Sequence, residues 1–108
     1  MGSSKKSIRH NPKEPDIEVD FHSLHSGISF AEVESFAHEA LNEIRLRGIR
    51  RALFIVGKGL HSSHGPVIRP MIISIVEGWK QDGIITSWEY ERGVSGTLNE
   101  GALVIHLL

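Results

Sequence analysis

Two short stretches of this 108-residue chain gather side chains able to handle a phosphate ester. "EVDFHS", residues 18–23, sets Asp20 two positions before His22. "GKGLHSSHGP", residues 57–66, places Lys58 between Gly57 and Gly59 and follows them with His61, Ser62 and His64. An imidazole exchanges protons near neutral pH, and a neighbouring carboxylate can orient it or hold a cation. Glycines let backbone N–H groups approach an anion, while a lysine ammonium adds a compact, mobile charge. The glycine loop is not a Walker A motif, which needs four residues between its first glycine and Gly-Lys-Ser/Thr; a nucleoside-triphosphate site is excluded on spacing.

These stretches need a frame to hold them. Ile17, Val19 and Phe21 alternate with Glu18, Asp20 and His22, the period of a strand with one buried face, which puts Asp20 and His22 together on the other. Ser29 with Glu32 reads as a capping box, and Phe30, Val33, Phe36, Ala37, Ala40, Leu41 and Ile44 recur at helical spacing until Gly48. Arg45, Arg47, Arg50 and Arg51 crowd the negative end of that helix. "ALFIV", residues 52–56, has no alternation and predicts a strand covered on both faces. A second helix opens between Pro66 and Pro70, with Pro70 in its first turn, and runs to about Gln81 on Met71, Ile72, Ile75, Val76 and Trp79. "IITSWEYE", residues 84–91, reads as a third strand, "RGVSGTLNEG" as a loop, and "ALVIHLL" as a final strand with an edge open to pairing. The order β-α-β-α-β-β describes an α/β domain (an α+β sandwich) with a mixed four-stranded sheet and two helices. Ligands of such sheets bind beyond the carboxyl ends of the strands. If the first two strands are parallel neighbours, both chemical stretches meet at one rim, beside Arg69 at the positive start of the second helix.

"VDFHS" followed by "IVGKGLHS" resembles the Smr domain, the small MutS-related module, whose motifs are Leu-Asp-Leu-His-Gly after the first strand and Gly-Lys-Gly after the second. The C-terminal "NEGALVIHLL" is similar to the family's glycine-alanine stretch before its last strand. The likeness spans about residues 17–108 and looks most like the stand-alone bacterial type. It implies a fold like the C-terminal domain of a bacterial translation initiation factor, with nucleic-acid binding and often endonuclease (nicking) activity on DNA or RNA. The catalytic residues it implies are Asp20, His22 and His61; Gly57, Lys58, Gly59, Ser62 and Arg69 would contact nucleic acid. Phe21 stands for the family's usual Leu, Ser23 for its Gly, and Val56 for a frequent His.

Composition narrows the alternatives. Twelve basic against thirteen acidic residues leave a formal charge of −1, so any basic surface is local. The absence of cysteine excludes disulfides and thiolate metal sites and suits a cytoplasmic protein, and no apolar run approaches the ~20 residues of a membrane span. Residues 1–16, with Lys5, Lys6, Arg9, Pro12 and Pro15, read as a flexible arm before a domain at 17–108. His22, His25, His61 and His64 match no recognisable zinc motif, so no metal site is expected. His10, His38 and His106 read as incidental, and Trp79, Trp88, Phe30 and Phe36 as core. Three functions fit. An endonuclease would cut RNA through its 2′-hydroxyl, or DNA through water with Asp20 on Mg²⁺. A non-catalytic module would bind DNA or RNA, such as branched DNA or single-stranded RNA, and position another nuclease. A metal-dependent hydrolase would act on a small phosphoester.

Overall fold

The structure is a computed structural model that describes residues 8–10, 17–22, 24, 27–57 and 68–108. Its elements are β1 (Ile8–His10), β2 (Ile17–Asp20), α1 (Phe30–Leu46), β3 (Arg51–Ile55), α2 (Ile68–Gln81), β4 (Ile85–Arg92) and β5 (Leu98–Leu107). The sheet runs β1-β2-β3-β5-β4. β2 and β3 are parallel, and every other neighbouring pair is antiparallel. The four strands read from the pattern are β2 to β5, in the expected order with two helices. β1, inside the arm, adds a fifth; three residues are too few to show a period.

Both helices pack on one face of the sheet. Ile17, Val19 and Phe21 of β2 and its end, Ala52, Phe54 and Val56 of β3 and its end, and Leu103, Ile105 and Leu107 of β5 meet Val33, Ala37, Leu41 and Ile44 of α1 and Ile72, Val76 and Trp79 of α2 in one buried cluster. Burying each large aliphatic or aromatic side chain contributes about 1.5–3 kcal/mol before conformational entropy is set against it. α1 begins with the expected box: Ser29 Oγ accepts from Glu32 N–H at 3.1 Å, and Glu32 Oε1 accepts from Ser29 N–H at 3.0 Å. It ends in a Schellman motif, with Gly48 at φ +69° donating to Arg45 O and Ile49 N–H reaching Ile44 O. Pro70 lies in the first turn of α2, where its missing N–H costs no helix bond.

Three expectations are corrected. β3 is not covered on both faces: Ala52 and Phe54 are buried under the helices, whereas Leu53 and Ile55 are half-buried on the open face. Their apolar character reflects a central position in the sheet, where flanking strands shield them. The final strand begins at Leu98 rather than near Ala102, so much of "RGVSGTLNEG" is ladder and only a short turn joins β4 to β5. β5 also lies between β3 and β4, so it offers no free edge; β4 is the edge strand on that side.

Candidate functional site

The carboxyl ends of β2 and β3 lie side by side, with Asp20 level with Ile55. Beyond Asp20 the chain curls over the tip of β3. Phe21 N–H and His22 N–H both donate to Ile55 O, at 2.8 and 3.1 Å. His22 N–H also donates to Asp20 Oδ1 at 2.8 Å, a local turn closed by a carboxylate. Phe21 anchors this curl from below: fully buried, it meets Phe36 edge-on at 5.1 Å between ring centroids and Phe54 at 5.0 Å. Phe54 in turn meets Trp79 of α2 at 6.1 Å. Phe21 thus ties the strand tip to both helices, while His22 on its outer side is exposed.

The imidazole of His22 lies against Gly57. A Cβ at that glycine would collide with His22 Cδ2 and come within 3.1 Å of Nε2 and 3.2 Å of Cγ. Gly57 also has φ +75°, a conformation unfavourable for side chains with a Cβ. Glycine is required twice here, by its own backbone and by the ring above it.

The third wall comes from β5. Gly101 O accepts from Val56 N–H at 2.8 Å and Gly57 N–H at 3.0 Å, fixing the start of the glycine loop. The β4–β5 register slips between Tyr90 and Glu91: Tyr90 faces Leu103, but Glu91 faces Asn99, so residues 100–102 bulge from the ladder. Asn99 shapes the bulge, accepting from Gly101 N–H at 3.0 Å while its Nδ2 donates to Glu91 Oε1 at 3.0 Å. Glu100 then meets Arg69, the second residue of α2, with Nη1 3.3 Å from Oε1.

Asp20, His22, Gly57 and Arg69 therefore collect at one rim. Lys58, Gly59, His61 and Ser62, together with Ser23, His25 and His64, lie outside the described residues. Asp20 Oδ1 accepts from the backbone N–H of His22 and so helps to fix the turn after the strand. The alternation placed Asp20 and His22 on one strand face; in fact the strand ends at Asp20 and His22 turns over the neighbouring tip. Among the described residues no group of three His, Asp or Glu side chains converges on a possible metal position. Asn99, Glu100 and Gly101 were not singled out from sequence, although Asn and Gly flanking an acid at the start of an apolar strand signal a bulge or tight turn.

No protein-family model matches the sequence, and no curated protein matches it significantly. Among solved structures, the Smr domain of Thermus thermophilus MutS2 aligns with a TM-score of 0.54, covering 86% of this chain and 96% of that one at 22% sequence identity. The fold is Smr-like. The match agrees with the resemblance carried by "VDFHS" and "IVGKGLHS". No helix among the described residues is long and apolar enough to cross a membrane.

Proposed function

We propose that this Smr-like chain binds nucleic-acid phosphodiesters at the β2–β3 rim and cleaves them as an endonuclease. The observation that carries the reading is the seating of the exposed His22 ring on Gly57, which joins the acid–imidazole stretch to the opening of the Gly-Lys-Gly loop. A phosphate held by that loop and by Arg69 would lie beside the imidazole. On RNA, His22 accepts the proton of a 2′-hydroxyl as its oxygen attacks phosphorus; the bond to the 5′-oxygen breaks, and that oxygen takes a proton, with His61 as the candidate donor. Lys58 and Arg69 would stabilise the charge that builds on phosphorus. The products are a 2′,3′-cyclic phosphate and a 5′-hydroxyl.

Cleavage of DNA lacks the internal hydroxyl and would call for water, with Asp20 on Mg²⁺ as its activator. Mg²⁺ usually takes one or two carboxylates with substrate oxygens and water. Asp20 Oδ1 already accepts the His22 N–H, and the described residues supply no converging second or third ligand. EDTA-sensitive cutting of DNA would mark this second route.

One observation favours a binding module without catalysis: the Asp20 carboxylate has a structural task at the turn. Incubating wild type and Asp20→Asn with single-stranded RNA and branched DNA, with and without EDTA, separates the readings. Asparagine keeps the acceptor for His22 N–H and removes the charge. EDTA-resistant cutting of RNA with cyclic-phosphate ends supports the enzyme. Binding by both proteins with no cutting of either substrate supports the module, with Lys58→Ala then weakening the complex more than Asp20→Asn does.

A further inference from the structure

We propose that Glu100 is an internal substitute for phosphate: its carboxylate holds the Arg69 guanidinium at the head of α2 and gives it up when a nucleic-acid phosphate arrives, thereby setting the affinity of the rim. The inference rests on the nucleic-acid reading above and adds a residue that tunes it.

Three observations converge on Glu100. The first turn of α2 has no acidic residue and carries Arg69 instead, so a guanidinium is added to the partial positive charge of a helix N-terminus. That arrangement is unfavourable without an anion nearby, and Glu100 supplies one from a different element. The second observation is how Glu100 arrives. The register slip in the β4–β5 ladder and the Asn99 turn take residues 100–102 out of the pairing with β4, while Ala102 stays opposite Ile55 of β3, and Glu100 meets α2. Bulges of this kind re-aim side chains beside functional sites.

The third is the asymmetry of the pair. The Arg69 side chain is 21% exposed and that of Glu100 is 57% exposed, so the cation is the fixed member and the acid the one free to swing into solvent. The contact is a single one at 3.3 Å, rather than the two short parallel bonds of a bidentate clamp. Exposed pairs of this type hold weakly. A phosphate, whose oxygens match the guanidinium fork, can replace the carboxylate without moving Arg69. Because Gly101 O binds the N–H of Gly57, the exchange takes place next to the strand turn that carries Gly57 and the His22 ring seated on it.

The test measures affinity of the full chain for fluorescein-labelled single-stranded RNA across a salt series, in wild type, Glu100→Gln, Arg69→Gln and the double variant. Glu100→Gln is expected to tighten binding roughly two- to five-fold, the size of a weak exposed pair. Its salt dependence should steepen by up to about 0.7 in log–log slope, as one more cation exchanges its counterions for phosphate. In the Arg69→Gln background the same substitution should change affinity by under about 1.5-fold, because no guanidinium remains to release. Unchanged or weaker binding by Glu100→Gln overturns the inference. Equal tightening in both backgrounds also overturns it, since that outcome is plain repulsion between a carboxylate and the strand. Thermal melts of all four proteins exclude unfolding as the cause. If none of the four binds RNA, or branched DNA in a parallel titration, the nucleic-acid reading itself fails; if wild type binds and only the coupling is missing, Glu100 alone loses its role.

Discussion

The two helices begin in opposite ways. At the head of α1, Ser29 and Glu32 satisfy each other's backbone N–H groups within four consecutive residues, and an acid sits where the helix dipole favours one. At the head of α2, a cation occupies the first turn and the balancing carboxylate comes from β5, thirty-one residues along the chain. The first arrangement is complete in itself and serves stability. The second places a guanidinium where an anion is wanted and guards it with a loosely held acid. One helix start is closed by its own residues; the other holds a cation balanced from a distant strand.

That contrast can be broken by experiment, beginning at the rim served by α2. His22→Ala should lower RNA cleavage by about 100-fold or more, the usual scale of a lost proton-transfer group. Its melting temperature should stay near wild type, because the ring is exposed. A large drop in stability would instead make His22 a structural piece of the turn. Arg69→Ala should weaken RNA binding roughly ten-fold, as expected for a charged hydrogen bond to phosphate, and should make the salt dependence shallower. Its melting curve should move little, since removing a cation from a helix N-terminus offsets the loss of an exposed ion pair.

The head of α1 should respond the other way. Ser29→Ala should cost about 1 kcal/mol, lowering the melting temperature by about 4–8 °C with RNA affinity unchanged. If Ser29→Ala weakened binding as much as Arg69→Ala, the division between the two starts would be false. The smallest effect belongs to the other end of α1. Arg47→Ala removes an exposed pair with Glu43 at 2.8 Å, and the loss should stay under about 0.5 kcal/mol in a denaturant titration.

How much of this was legible in the sequence depended on how local each signal was. The α1 box, its glycine stop and the alternation of Ile17, Val19 and Phe21 are written in neighbouring residues, and the fold follows them. The same alternation pointed to one rim for Asp20 and Gly57, because strands whose carboxyl ends adjoin must bring their following turns together. What was not legible depends on partners far along the chain. The apolar run of β3 gives no sign of which face a helix covers. Leu98, Asn99 and Glu100 look like loop until β4 is placed beside them, and a three-residue slip in register cannot be seen from one strand alone. The His22 ring over Gly57 is a contact between two turns, and only the glycine hinted at it.

Because β5 fills the gap between β3 and β4, a chain being synthesised holds every earlier strand before it can close the sheet. Until those residues emerge, β4 has no ladder neighbour and Gly57 lacks the carbonyl that fixes its turn. A nascent or truncated product stopping short of Leu98 would carry Asp20, His22 and Gly57 without the strand that fixes their turns, so assembly of this rim waits on completion of the fold.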